Sequence, residues 1–387
     1  MFRPQCGFRQ MLVYFILNSI LYSSWLLGIF PFKYEPKTRR LRRSKWIIVF
    51  GIALSSSLIF LMLKHDGEAQ EGEEKLDVFQ RNFVLDQISL LLGIVGVLTI
   101  CAMYVRTFWR SRNLEEIYNE LLILEVKYFG SDFVECRKFD SFVIQKGFLI
   151  VGGVASTWLV HLGMPNQTMP IMNVLVISLV KFGTVLLSIH FHLGLAFIYR
   201  FVWLINRELL DMANYLRVNP SASFSRVRLL LKLYCKLVDL YGRLTDCYDY
   251  QTALMMVLYL AANIILSFYM IVYTISLSQM SIFVMLIMFP LALLKNFLDF
   301  WMSIAVCDLV EKTGRQTSMI LKLFNDIENM NKELERSISN FALYCSHCRF
   351  KFLYCGLFHV NREMGFEMLV TSVLYLLFLV QFDFMNL

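Results

Sequence analysis

Proline and charge are both scarce in this chain. Seven prolines in 387 residues leave long stretches with nothing to break a helix. Charged residues make up only 17% of the chain, against about 25% in soluble domains. With 57% hydrophobic residues and a positive mean hydropathy, that shortfall excludes an ordinary soluble domain and points to a multi-span membrane protein. No internal repeat is visible, which argues against transporter folds built from duplicated halves. There is no low-complexity segment and no appended soluble domain. A Gly-rich phosphate loop and an HExxH motif are also missing, and no Ser/His/Asp set falls at one membrane depth. An enzyme is therefore not expected, nor is a cofactor.

Eight apolar runs are present: 11–30, 46–63, 83–105, 142–161, 171–199, 252–277, 282–306 and 368–382. Basic charge alternates between the segments that join them. Lys and Arg number seven in 31–45, six in 106–140, eight in 200–250 and eight in 309–362. Segment 64–82 has three against six acids, and 162–170 and 278–281 have none. The basic segments belong in the cytosol, so the C-terminus is expected outside. Charge spread over one face in this way reads as orientation, and no nucleic-acid partner is expected. The first run is left open by its residues, since only Arg3 and Arg9 precede it. A cleaved signal peptide is not expected there, because cleavage would export the basic segment 31–45.

All nine cysteines fall in cytosolic segments or at the inner ends of spans, so no structural disulfide is expected. The long inside segments keep helical periodicity. Leu114, Ile117, Leu121 and Leu124 form one stripe, Val227, Leu230, Tyr234 and Leu237 another, and Ile320, Leu323, Phe324 and Ile327 a third. Spans 4, 5 and 6 are expected to continue into the cytosol as helices, with a separate helix before the last span. Exposed stripes of this kind call for partner helices, so 309–362 is expected to carry an assembly surface.

The last run has one face unlike lipid-facing helix. Glu363, Glu367, Thr371, Tyr375, Phe378 and Gln381 recur every three to four residues, a stripe suited to lining water. Tyr375, five apolar residues, Gln381 and Phe382 resemble the Thr-Tyr-(apolar)5-Gln-Phe signature that closes insect gustatory receptors. Leu374 departs from it at the Thr position. The stretch Gly356-Leu357-Phe358-His359-Val360-Asn361 is similar to the approach to that family's last helix. The resemblance implies an all-α membrane protein of seven spans, with a cytosolic N-terminus and an extracellular C-terminus. Residues 11–30 would then be an inner-leaflet helix. It also implies a tastant-gated cation channel, a homo- or hetero-tetramer of related subunits in the plasma membrane of sensory neurons. The last helix would line the pore, with Gln381 and Phe382 at the gate. Under this reading 1–45 is a cytosolic segment, 46–306 holds spans 1–6, 307–362 is a cytosolic assembly region and 363–387 is the pore span.

For a small-molecule tastant the usual site is an apolar pocket with a few polar fixers, and the resemblance implies one open to the outside. Polar and aromatic residues gather at the outer halves of the spans: Asp86, Gln87, Trp158, His161, Asn173, Ser178, Tyr269 and Tyr273. A non-sugar, bitter ligand is expected from the family's breadth. Asn166-Gln167-Thr168 is a glycosylation sequon in an outside loop. Lys295 and Asp299, at i and i+4, either neutralise each other within the membrane or mark where the helix enters the cytosol with both side chains in water. His190 and His192 read as structural. Cys345, Cys348, Cys355 and His359 have zinc-like spacing, but no turn separates them as a zinc module needs, so they read as cytosolic thiols. Alternative readings are an odorant-receptor-like subunit and a G-protein-coupled receptor. The latter places its basic loops after spans 1, 3 and 5, the opposite alternation, and neither DRY nor NPxxY occurs.

Overall fold

The computed structural model describes residues 7–35, 37–38, 40–72, 83–129, 135–163, 171–219, 226–275, 286–287, 289–356 and 358–385. Ten α-helices are found among them: α1 (Phe8–Leu26), α2 (Lys45–Gly72), α3 (Phe83–Trp109), α4 (Ser111–Leu124), α5 (Arg137–Gly163), α6 (Ile171–Val218), α7 (Arg226–Ile275), α8 (Phe289–Lys322), α9 (Lys332–His347) and α10 (Arg362–Met385). Five of them, α2, α5, α6, α7 and α10, are long and apolar enough to cross a membrane, and α3 adds a shorter apolar stretch, Gly93–Trp109. The seven runs expected to span lie on α2, α3, α5, α6, α7, α8 and α10.

Helix α6 is the axis of the bundle. Its 48 residues extend about 72 Å, more than twice a hydrocarbon core of about 30 Å. It therefore continues well past its apolar run, as does the 50-residue α7. From His190 to Asn206 no residue of α6 is exposed, the helix packing against α5, α7 and α8, and beyond it one face stays buried through Leu209, Met212, Ala213 and Leu216. The continuations form a core of their own. Leu114, Ile117, Leu121 and Leu124 of α4, Val227, Leu230, Tyr234 and Leu237 of α7, Phe324, and Leu334, Ile338 and Phe341 of α9 belong to one buried cluster. This corrects the expectation that these stripes await partner subunits. Phe324 is 1% exposed within a single chain, because α4, α7, α8 and α9 satisfy one another.

Two small antiparallel hairpins interrupt the helices, which the all-α expectation did not include. In the first, β1 (Phe32–Glu35) pairs with β2 (Arg40–Arg43), with Phe32 opposite Arg43 and Tyr34 opposite Leu41. Facing residues of an antiparallel pair share a side. Phe32 and Leu41 are buried on one side, and Lys33, Arg40 and Arg42 are exposed on the other with Glu35. Asn119 of α4 fixes the hairpin, accepting the Leu41 N–H at 2.6 Å and donating to the Leu41 carbonyl at 2.8 Å. The second hairpin, β3 (Leu353–Tyr354) with β4 (Phe358–His359), precedes α10.

Helix α1 is held at both ends. Arg9 donates to the Arg137 carbonyl and Ser141 hydroxyl at the start of α5, each at 2.6 Å. At the other end Ser24 Oγ lies 3.0 Å from His190 Nε2, and Trp25 Nε1 donates to the Phe32 carbonyl at 2.8 Å. Gly28, at φ +65°, then brings its backbone against that of Gly51 in α2, where a Cβ on either residue would collide. Two asparagines start helices near the end of the chain. Asn331 accepts from the Glu333 N–H ahead of α9, and Asn361 from the Met364 N–H ahead of α10.

Candidate ligand cavity and last helix

Helices α3, α5, α6, α7 and α8 enclose a cavity of about 370 Å3. Most of its wall is apolar, from Ile100, Leu149, Val154, Phe182, Met255 and Leu258 among others. The polar groups are few: Ser156, Thr157, Ser178, Lys181, Thr184, Tyr259, Lys295 and Asn296. Ser178 Oγ is buried without a protein hydrogen-bond partner, as is Asn263 Oδ1 beside the lining residue Ala262. Two ammonium groups and no carboxylate line the wall among the described residues.

Below the cavity lies a buried charge cluster. Lys146 of α5 donates to Asp299 Oδ1 at 2.6 Å, and Tyr259 of α7 donates to Asp299 Oδ2 at 2.8 Å. The two charged side chains are 3% and 8% exposed. The direct partner of Asp299 is thus Lys146, and Lys295, expected in that role, adds attraction at longer range. Lys295 instead reaches Asn296 Oδ1 at 3.4 Å, with its Cε against Gly153. A lysine from a neighbouring helix meets the carboxylate more directly than one a turn away on the same rod.

Of the expected ligand residues, Ser178 lines the cavity. Asn173 is buried nearby in sequence on α6, and its Oδ1 also has no protein partner. Trp158 is half-buried and Gln87 is exposed, and neither lines the cavity. Asn166 lies outside the described residues, as do the side chains of Asp86, His161, Tyr269 and Tyr273. The sequence reading missed Lys181, Thr157, Tyr259 and Asn296. A usable signal existed: Lys146, Lys181 and Lys295 are the lysines inside predicted spans, and charge within a membrane marks function.

Helix α10 touches the rest of the chain along one narrow seam. Gly365 and Leu379 are buried, and Met364, Met368 and Leu369 pack against the main core. A Cβ at Gly365 would come 2.7 Å from Ile304 Cδ1, so the small residue sets how closely α10 approaches α8. Away from the seam, Glu363, Glu367, Thr371, Tyr375, Phe378 and Gln381 are all exposed. Phe382 is half-buried, its ring stacked on Phe378 with centroids 6.4 Å apart. The root of α10 is tied to α8 by charge. Asp308 holds Arg362 at 2.9 Å and Lys312 at 2.8 Å, and Glu311 holds His359 at 2.8 Å and Arg315 at 2.5 Å.

The zinc-like spacing is not assembled. No three candidate ligands come together among the described residues. Cys345 is buried and bonded to Tyr234, Cys348 ends α9, Cys355 sits exposed in a turn where its N–H donates to Asp249, and His359 meets Glu311. The eight described cysteines are free thiols.

The 7tm Chemosensory receptor family model matches residues 17–386. The chain is 68% identical to a putative gustatory receptor 22d of Drosophila melanogaster, over the full length of both. It is 46% identical to a gustatory receptor for bitter taste 22e from the same organism, again over the full length of both. Its fold is similar to the insect olfactory receptor OR5 from Machilis hrabei, with a TM-score of 0.67 at 15% identity, covering 95% of this chain and 98% of that one. The same receptor in complex with eugenol matches with a TM-score of 0.64 at 16% identity, covering 97% and 100%.

Proposed function

Because this chain belongs to the insect gustatory receptor family of chemosensory receptors, we propose that it is a subunit of a tastant-gated, non-selective cation channel. On this reading four subunits assemble in the plasma membrane of sensory neurons, each giving α10 to a central pore. The uncovered face of α10 carries the reading. The residues least suited to lipid, Glu363, Glu367, Thr371 and Gln381, lie opposite the seam that fastens the helix to its own subunit. Four such faces around an axis would give carboxylate rings near Glu363 and Glu367 that favour cations. A Phe382 ring would close the pore by excluding water. Adjacent residues lie about 100° apart on a helix, so a modest rotation would exchange Phe382 for Gln381 at the axis.

The basic segments put the C-terminus outside, and the family resemblance puts α1 along the inner leaflet. Ligand enters the cavity between α5, α6, α7 and α8. Its volume suits a small molecule, and its lining supplies apolar contact with a few orienting groups. Lys295 and Asn296 offer N–H donors, which favours a ligand that presents hydrogen-bond acceptors. One relative's name specifies bitter taste, which supports a bitter, non-sugar tastant here.

The test is to record currents from this chain, alone and with related subunits, against acidic, neutral and amine tastants. Phe382→Ala should raise ligand-independent current, and Gln381→Glu should change cation selectivity or divalent block. Glu367→Gln should lower conductance without shifting ligand sensitivity. If all three reached the surface and gated like the parent, α10 would not line the pore. A C-terminal epitope protected in intact cells would instead support a G-protein-coupled topology.

A further inference from the structure

We propose that the groove between α2 and α3, together with the basic hairpin at its end, is a binding site for one anionic phospholipid. The groove has a volume of about 580 Å3. It runs along α2 from Ile48 past Ile52 and Ser56 to Leu63, and its other wall is the last two turns of α3. The groove is apolar enough for an acyl chain, with polar groups at Ser55, Ser56, Tyr104 and one end. At that end stand Arg43 and Trp109. Trp109 is 85% exposed and Trp46, the second residue of α2, is 86% exposed. Exposed indoles at a helix end mark the level of lipid headgroups.

The hairpin supplies the charge. Arg40 and Arg42 project from its exposed side with Lys33, against Glu35 alone. Arg43, on the other side, lines the groove itself, and Lys45 follows at the start of α2. These cations are not on a mobile tail. Asn119 clamps Leu41, and Glu115 accepts the Arg43 N–H at 3.2 Å, so the backbone beneath the guanidinium groups is pinned to α4. A pinned cation set above an apolar groove matches an anionic headgroup above its own acyl chain. General attraction between basic segments and anionic membranes needs neither the groove nor the pinning, so the two cases differ in which residues matter.

The experiment uses the full-length protein in phosphatidylcholine nanodiscs containing 10 mol% of a lipid brominated in its acyl chains. Tryptophan quenching by brominated phosphatidylserine is compared with quenching by brominated phosphatidylcholine. A basic residue near an anionic surface is worth about fivefold in binding, so two headgroup cations predict preference for the serine lipid well above threefold. Arg42→Gln with Arg43→Gln should remove that preference. Lys37→Gln, at the hairpin tip, should keep it. Ile52→Phe with Ser56→Phe, both at exposed positions, should fill the groove and remove the preference while the charges stay. Folding of each variant is checked by its elution profile. Equal quenching by the two lipids overturns the proposal, as does a preference that survives the arginine pair or the groove-filling pair. Full displacement by millimolar inorganic phosphate also overturns it, since the acyl chain would then contribute nothing.

Discussion

Removing Asp299 alone should be far more damaging than removing it together with Lys146. The carboxylate accepts from Lys146 at 2.6 Å and Tyr259 at 2.8 Å, and both charged side chains are almost wholly buried. At that separation and an effective dielectric of about 20, the attraction is on the order of 6 kcal/mol. Taking the two ions out of water costs several kcal/mol each, so the intact pair contributes little net stability. Breaking it is different, because the survivor stays buried and unpaired, at about 3–5 kcal/mol. Asp299→Leu leaves Lys146 in that state. Lys146→Met should be milder, since Lys295 lies one turn from Asp299 on α8 and can turn toward it. The double variant, Lys146→Met with Asp299→Leu, should be more stable than Asp299→Leu. The assay is heating followed by fluorescence-detected size exclusion, which reads the fraction still folded. The reasoning is refuted if Lys295→Met, and not Lys146→Met, rescues Asp299→Leu. That result would restore the pairing within α8 that the spacing alone suggested.

Five further outcomes are expected. Tyr259→Phe keeps the ring that lines the cavity and removes one bond to the carboxylate, so it should cost about 1.5–3 kcal/mol of stability and alter the tastant dose response. Phe324→Asp places a charge in the core of one subunit, so elution profiles should show aggregated or unfolded protein and not intact monomers. Burial pushes the Cys345 thiol up to about 12, so it stays protonated in the folded protein, and raising the pH from 7 to 10 should not speed its alkylation, whereas exposed Cys355 should label first. The unfolded thiol ionises earlier, so Cys345 should lower stability as pH climbs above the ordinary thiol range of about 8.5, which a melting series across pH would read. Gly365→Val should push α10 from Ile304 and change resting current more than expression.

The helices were legible because apolar periodicity is a local property. The stripes at 114–124, 227–237 and 320–327 fall on helices α4, α7 and α8, with 320–327 running past the end of α8 into turns. What covers each stripe was not legible, because periodicity says that a face is buried and not by what. That is why the stripes were assigned to other subunits when they cover each other. The Lys146–Asp299 pair joins residues 153 apart, beyond any spacing argument. The first hairpin did leave a local trace. Phe32 and Tyr34 alternate with Lys33 and Glu35, and Glu35-Pro36-Lys37-Thr38 is turn chemistry, but the density of positive charge drew attention to orientation instead. The polar stripe of α10 is exposed, but Phe366, Val370, Val373 and Leu374 beside it are exposed too, so a local spacing of i, i+4 and i+7 groups the residues on one face without telling what that face meets.

Helix α8 holds the cavity wall at Lys295 and Asn296 and the root of α10 at Asp308 and Glu311. Lys295 and Glu311 are separated by about 24 Å of unbroken helix, with no loop between them to absorb a displacement. A stiff strut of that kind works in both directions. On the proposed channel reading, whatever free energy a bound tastant contributes to opening must reappear as tighter tastant binding when the pore is held open. A lesion at Asp308 or Arg362 would then shift apparent affinity at a cavity it never touches, while leaving the pocket's chemical preferences unchanged.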